Sequence, residues 1–175
     1  MGFVRRYASR ASVACDIGTN TGWYALYFAT LQKIERVHAF DPDESLVVSA
    51  RATFLMNDPA YLAKTEFHAK FVGDKDDSRW CRLDTVLRGI RRPIVLKIDV
   101  DGGELEVLHG AKEILSEVPC MLVIETHSVE LERGCVDFLD GLGYRTRIIK
   151  NGWYRAIVPE TRNLPHNRWM TAERP

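Results

Sequence analysis

The chain has 175 residues and equal numbers of basic and acidic side chains, 24 of each, so its formal net charge is zero. This balance gives no support for a nucleic-acid partner, because proteins that bind nucleic acids usually carry a basic surface. The length fits one domain with a substantial core. We expect that domain to cover residues 1–175, with a basic leader at 1–11 and a polar tail at 160–175.

The compartment is predicted from what the sequence lacks. No apolar run approaches membrane-spanning length, and the basic N-terminus lacks the apolar stretch of a signal peptide. The four cysteines are scattered without a C-x-x-C pair, which is typical of reduced, structural thiols. These features predict a cytoplasmic protein that does not bind membranes.

A glycine loop follows the first predicted strand. Residues 13–15 are a short apolar run that predicts a buried strand, and the apolar, aromatic segment 23–31 predicts a helix. The glycines of the intervening loop, D-I-G-T-N-T-G, let the backbone turn sharply and approach a ligand closely. A strand, a glycine loop and a helix are typical of the first unit of a nucleotide-binding fold. The candidate cofactor-binding residues here are Asp16, Gly18, Thr19, Asn20 and Gly22.

Asp16 indicates which nucleotide the loop binds. A carboxylate at the end of the strand would repel a pyrophosphate, and Asn20 stands where a dinucleotide-binding loop has a glycine. The same carboxylate suits a ligand that carries an ammonium and a sulfonium, such as S-adenosylmethionine (SAM). Asp41 ends the second predicted strand about 20 residues further on, where an acid commonly holds the ribose hydroxyls. Together these residues predict a SAM site.

The later elements alternate between helices and strands. Helices are predicted at 46–56, 83–89, 104–117 and 129–142, and strands at 36–40, 65–72, 94–100 and 121–126. Two more predicted strands, 144–150 and 153–159, flank Asn151-Gly152, a strong hairpin signal. This order predicts an α/β, Rossmann-like fold. Its seven-stranded, mostly parallel sheet would end in a C-terminal antiparallel hairpin and carry helices on both faces.

Ionisable residues interrupt the two strands that should be central and apolar. Alternation puts Lys97, Asp99 and Asp101 on one face of the fourth strand, and Glu125 and His127 on one face of the fifth. Because a buried unpaired charge costs several kcal/mol, these residues should be paired or lie at the open carboxyl ends, where ligands bind. A structural ion pair between Lys97 and Glu125 is one interpretation. Asp99 and His127 are the stronger site candidates.

The chain resembles the FkbM family of SAM-dependent methyltransferases in five stretches: DIGTNTG, AFDPDESL, LDTVL, LKIDVDGGELEVLHGAKEIL and PCMLVIETH. The likeness covers residues 13–144. It implies a class I methyltransferase fold and O-methylation of a sugar or another small molecule. By position, it implies that the loop residues line SAM and that Asp41 holds the ribose. It also implies that Phe71 and Asp74 border the adenine, and that Asp99 lies closest to the transferring methyl.

Two departures from the family pattern bear on the acceptor site. Family members usually carry a longer N-terminal segment, so the acceptor site is expected to be incomplete or shared with a partner chain. Asp101 stands where the family commonly has glutamate.

The predicted chemistry is proton removal from an acceptor hydroxyl during methyl transfer. His127 is the predicted general base, because histidine exchanges its proton near neutral pH. Asp99 or Glu125 would orient it or take the proton. In a metal-assisted alternative, these residues and Asp101 would hold Mg²⁺ or Mn²⁺. Their spacing matches no compact metal motif, so our prediction is catalysis without a metal.

Two other functional classes are weighed against this prediction. An NAD-dependent oxidoreductase is disfavoured by Asp16, by Asn20 and by the lack of a second, substrate-binding domain. A non-catalytic SAM- or adenosine-binding module, acting as a partner subunit, is the main alternative.

Overall fold

The computed structural model describes residues 2–149 and 166–174. The helices are α1 (Gly2–Ala8), α2 (Trp23–Thr30), α3 (Glu44–Asn57), α4 (Leu83–Val86), α5 (Glu104–His109), α6 (Lys112–Glu117) and α7 (Val129–Gly141), with a 3₁₀ helix at Pro59–Lys64. The strands are β1 (Val13–Ile17), β2 (Arg36–Phe40), β3 (Thr65–His68), β4 (Phe71–Val72), β5 (Trp80–Cys81), β6 (Ile94–Ile98), β7 (Cys120–Thr126), β8 (Arg145–Ile149) and β9 (Arg168–Glu173).

The main sheet has seven strands in the order β3-β2-β1-β6-β7-β9-β8. The first five in this order are parallel, and β9 is antiparallel to both β7 and β8. The chain moves outward from β1 to β3 and then returns to the other side of β1 as β6. In sheets of this kind the crevice at that reversal binds ligands. The predicted Rossmann-like fold, with its mostly parallel sheet and antiparallel C-terminal pair, is confirmed.

The core lies on both faces of this sheet. On one face, residues of β1, β6 and β7 such as Cys15, Leu96 and Leu122 pack with residues of α5, α6 and α7. On the other face, Ala14, Val95 and their neighbours pack with residues of α1, α2 and α3. Every residue of β6 and β7 is buried, which explains why these strands are apolar apart from Lys97, Glu125 and Thr126.

The N-terminal leader is a structural helix over the middle of the sheet. The sequence predicts only a basic leader here, whereas the structure has helix α1, which packs on β6 and β7. Val4, Tyr7 and Ala8 are buried in the core of that face. Helix α1 therefore covers one face of the central strands.

The third predicted strand, 65–72, is divided in two. Strand β3 ends at His68, and β4 instead pairs in parallel with β5 in a separate two-stranded sheet. The amide of Phe71 donates to the carbonyl of Arg79, and that of Gly73 donates to Cys81. These bonds to a distant segment draw the chain away from the main sheet.

The helix predicted at 104–117 is interrupted between α5 and α6. The carbonyl of Gly110 accepts from the amide of Asp84, and the Asp84 carboxylate accepts from the amide of Ile114, 2.9 Å away. Asp84 thus satisfies an amide in the first turn of α6. The break follows from a contact with a residue that lies far away in the sequence.

Among the described residues, β8 has an antiparallel partner that the sequence does not predict. Residues 168–173, which belong to the expected polar tail, form β9 between β7 and β8, and Ile149 pairs with Trp169. Met170 and Ala172 of β9 are fully buried. The predicted Asn151-Gly152 turn and the strand at 153–159 lie outside the described residues.

Within residues 2–149 and 166–174, no helix combines the length and apolar character needed to cross a bilayer.

All four cysteines are buried as free thiols, as expected for structural residues. Burial raises the pKa of Cys81 to about 11 and that of Cys120 to about 12. Since the thiolate is the reactive form, the folded protein should react very slowly with a thiol reagent such as Ellman's reagent at neutral pH. Unfolded protein should rapidly release the full four equivalents. A thiol that reacts at once in the native protein would contradict this expectation.

Candidate active site

The glycine loop crosses the carboxyl ends of the central strands. Gly18 has a φ of +75°, and its amide donates to the carbonyl of Phe40 at the end of β2. A Cβ on Gly18 would lie 1.8 Å from the carbonyl oxygen of Asp99, at the end of β6. Only glycine fits this conformation and this approach. Gly22, with a φ of +85°, ends the loop directly before α2.

Asp16 lies beneath this loop and is fully buried. Its Oδ2 accepts hydrogen bonds from the Thr19 hydroxyl, 2.7 Å away, and from the Ala25 amide, 2.9 Å away. Its Oδ1 lies 3.2 Å from the ammonium of Lys97. The carboxylate thus faces protein groups, whereas the sequence suggested that it faces a ligand ammonium. Its observed contacts hold the glycine loop and the start of α2.

Lys97 connects the glycine loop to the end of β6. Its Nζ donates to the Gly18 carbonyl, 2.8 Å away, and lies 3.6 Å from Oδ2 of Asp99. Burial disfavours the ammonium, but the carboxylates of Asp16 and Asp99 outweigh burial and raise the pKa of Lys97. The side chain is therefore a buried cation. Asp16 is a partner of Lys97 that the strand pattern does not reveal.

Asp41 joins the glycine loop to the next connection. It follows β2, its Oδ2 accepts from the Asn20 amide, 2.9 Å away, and its Oδ1 accepts from the Asp43 amide, 3.0 Å away. These bonds fix the carboxylate at the wall of a cavity that it lines.

That cavity has a volume of about 430 Å³ and lies among the glycine loop, the ends of β2 and β6, and the β4–β5 pair. The rings of Phe71 and Trp80 stack along its wall, with centroids 4.8 Å apart. The predicted site residues that line it are Gly18, Asn20, Asp41, Phe71 and Asp99. Among the described residues, four predicted cofactor residues are absent from its lining: Asp16, Thr19, Gly22 and Asp74.

A cluster that we name the acid edge, made of Asp99, Asp101, Glu104 and His127, lies at the carboxyl ends of β6 and β7. Nε2 of His127 lies 3.6 Å from Oδ1 of Asp99 and 3.3 Å from Oδ1 of Asp101. Asp99 and Asp101 also line the cavity. The structure thus brings together Asp99 and His127, as strand alternation predicts.

Glu104 is the member of this cluster that the sequence pattern does not reveal. It is fully buried, and its Oε1 lies 2.5 Å from Nδ1 of His127. Because a carboxylate only accepts hydrogen bonds, Nδ1 carries a proton, and in the neutral ring Nε2 presents a lone pair to the two aspartates. An acid in the first turn of a helix usually signals only a favourable end charge. The pattern therefore gives no hint of this role.

Glu125 lies two residues before His127, on β7. It is buried, and its Cα is paired with that of Trp169 in β9. By alternation it shares a face with His127 but lies deeper in the sheet. Its catalytic role stays a prediction.

Residues 80–146 match the methyltransferase FkbM domain. The chain is therefore similar to the FkbM methyltransferases over this segment. The FkbM resemblance expected from the motifs is thereby confirmed for the part of the chain that contains β6, β7 and the acid edge. A search of curated proteins gave no match.

Solved methyltransferase structures share the fold. The FkbM methyltransferase of Methylobacillus flagellatus KT has a TM-score of 0.73 at 15% identity, covering 93% of this chain and 44% of its own. SMU.1697c of Streptococcus mutans, solved in complex with S-adenosylhomocysteine (SAH), has a TM-score of 0.63 at 12% identity, covering 97% and 94%. An rRNA methylase of Streptococcus thermophilus has a TM-score of 0.64 at 16% identity, covering 99% and 93%. The chain thus spans less than half the length of the FkbM structure.

Replacing Lys97 by methionine should strongly destabilise the protein, because Asp16 would remain as a buried charge without a cation. Breaking a buried ion pair typically costs about 3–5 kcal/mol. Urea unfolding measures the loss, and Lys112→Met, which removes an exposed lysine, is the control. Asp16→Asn combined with Lys97→Met should recover part of the stability. Equal stability of the Lys97→Met and Lys112→Met proteins would contradict this interpretation.

Proposed function

We propose that this chain transfers a methyl group from SAM to the hydroxyl of a small molecule. The observation that carries the proposal is the shape of the cavity, which extends from the glycine loop and Asp41 to Asp99 and Asp101 of the acid edge. The FkbM match over 80–146 and the SAH complex of a structural neighbour support the choice of cofactor.

The lining residues fit SAM in three places. Gly18 presents only backbone to the cavity that it lines, so a ligand can contact the loop directly. The fixed carboxylate of Asp41 suits the ribose hydroxyls, as an acid at this position commonly does. The stacked pair of Phe71 and Trp80 offers an aromatic wall for the adenine. Bound SAM supplies a methyl group on a positively charged sulfur.

The acid edge supplies the groups that act on the acceptor. The side chain of Asp99 is 27% exposed and lines the cavity, with His127 buried behind it. In our proposal, Asp99 and His127 orient the hydroxyl and promote loss of its proton. Glu104 fixes the imidazole through Nδ1, and Glu125 assists from deeper in the sheet. Such acid–base help typically accelerates a reaction by about 10²–10⁴-fold.

A small-molecule acceptor fits the charge of the site better than a nucleic acid. The net charge is zero, and Asp99 and Asp101 at the cavity would repel a phosphate backbone. The charges also favour an enzyme over a module that only binds SAM. A binding module has no need of an ionisable cluster, which is costly to bury.

The cofactor assignment is tested by replacing Asp41 with alanine. The variant should bind SAH about 1–3 kcal/mol more weakly, because hydrogen bonds to a charged acceptor are lost. Isothermal titration calorimetry measures the affinity. Glu35→Ala is the matched control, because it removes an exposed carboxylate directly before the amino end of β2. A well-folded wild-type protein that binds neither SAM nor SAH would refute the assignment.

The catalytic assignment is tested by Asp99→Asn and His127→Ala. An acceptor is first identified by screening small hydroxyl compounds with methyl-labelled SAM. Each substitution should then lower kcat by about 100-fold or more, while the affinity for SAH falls much less. Rates are normalised to the folded fraction, and His109→Ala, which removes an exposed histidine of α5, serves as the control. Unchanged turnover of the His127→Ala protein would remove this histidine from the mechanism.

A further inference from the structure

Nε2 of His127 is a buried polar atom for which the described residues provide no hydrogen bond. The side chain is only 5% exposed, and Nε2 faces the carboxylate oxygens of Asp99 and Asp101 at 3.6 and 3.3 Å. With the proton held on Nδ1 by Glu104, a lone pair of the ring confronts lone pairs of two carboxylates. This arrangement is unfavourable unless Nε2 carries a proton of its own or a cation lies among the three groups.

The charges of the acid edge also favour a bound cation. Carboxylates of Asp99, Asp101 and Glu104 surround a single imidazole. Lys97, the ammonium beside Asp99, is also shared with the buried carboxylate of Asp16. Among the described residues, the cluster therefore carries an excess of negative charge close to the cavity. Glu104 is fully buried, whereas Asp99 is partly exposed and Asp101 is largely exposed.

We propose that the acid edge binds a divalent cation, Mn²⁺ or Mg²⁺, through Asp99, Asp101 and His127. One donor atom from each of these residues lies within 4.8 Å of the others. Two ligands about 2.1 Å from a cation and at a right angle to each other lie about 3 Å apart. The separations of 3.6 and 3.3 Å between Nε2 of His127 and the two aspartates therefore need only a small contraction. Carboxylates suit both ions, and the imidazole favours Mn²⁺.

Glu104 would hydrogen-bond the histidine ligand from outside the coordination sphere. A metal-bound histidine usually donates its other ring N–H to a carboxylate, which fixes the ring and its tautomer. The 2.5 Å contact between Nδ1 of His127 and Oε1 of Glu104 provides this arrangement. Glu104 is thus a positioning residue for the metal site.

This inference rests on the proposed function and extends it, because the cation would activate the acceptor. The acceptor hydroxyl takes an open coordination position, and the cation makes it more acidic. The hydroxyl proton passes to water, the oxygen forms a bond to the methyl carbon, and the sulfur–carbon bond breaks with its electron pair retained on sulfur. The products are the methyl ether, SAH and a proton. His127 then acts as a ligand and not as the base.

The test is a titration of the full chain with Mn²⁺, followed by the electron paramagnetic resonance signal of free Mn²⁺. The wild-type protein should bind one ion. Asp99→Asn and His127→Ala should each weaken binding tenfold or more, and Glu104→Gln should weaken it about 10- to 100-fold. Glu106→Gln, which changes an exposed acid of the same helix, should bind like wild type. A wild-type protein that binds no Mn²⁺, or variants that bind it unchanged, would overturn the proposal.

Calorimetry with SAH in the presence of EDTA separates this inference from the proposed function. SAH binding by a protein that takes up no Mn²⁺ would overturn the metal site alone, whereas loss of SAH binding in a folded protein would count against the cofactor assignment. Retained SAH binding by each variant also shows that its loss of Mn²⁺ does not come from unfolding. Methyl transfer should fall in EDTA and return with Mn²⁺ or Mg²⁺. Full activity in EDTA would overturn the metal proposal.

Discussion

The ammonium of Lys97 is the contact on which the geometry of the candidate site depends. It lies among the Asp16 carboxylate, the Gly18 carbonyl and the Asp99 carboxylate, and these belong to β1, the glycine loop and the end of β6. Asp16 and Lys97 are direct neighbours in the register of β1 and β6. A shift of the loop relative to β6 would leave a buried charge uncompensated. The loop and the acid edge are therefore held at one fixed separation.

The topology of the sheet explains why these groups meet. The chain reverses direction between β1 and β6, so the connections after these two strands diverge and leave a crevice. His127 enters the same region because β7 is parallel to β6 and ends beside it. The antiparallel strand β9 covers the other edge of β7 and pairs with Glu125 and Thr126. Strand β7 is thus buried along its length, and its last residues reach the site from a rigid support.

The parts of the fold that could be predicted from sequence are those with a local cause. The glycine loop was found because Gly18 and Gly22 need positive φ, and the meeting of Asp99 with His127 because strands alternate. The parts that could not be predicted depend on distant partners. The break between α5 and α6 requires a hydrogen bond from Ile114 to Asp84, and β9 forms in a polar tail because a gap between β7 and β8 accepts Met170 and Ala172.

The same reason explains which contacts of the site the sequence does not reveal. The sequence shows that Asp16 follows an apolar run, but its contact with Lys97 is made between strands that are far apart in the chain. Glu104 likewise reads as an ordinary acid at a helix start until β7 brings His127 within 2.5 Å. Residue type and spacing thus locate the ionisable groups, and only the fold decides which of them face each other.

A buried charge alone does not mark a functional residue, because Asp16 and His127 are both buried at the ends of central strands. Asp16 is fully enclosed: its Oδ2 accepts from Thr19 and Ala25, and its Oδ1 makes no hydrogen bond but lies 3.2 Å from the ammonium of Lys97. The chain itself therefore stabilises its charge, and the residue supports the loop. His127 has one nitrogen engaged by Glu104, and its Nε2 faces carboxylates and makes no hydrogen bond with the described residues. Since leaving a buried polar atom unsatisfied costs about 1–3 kcal/mol, a group from outside the chain has most to contribute at His127.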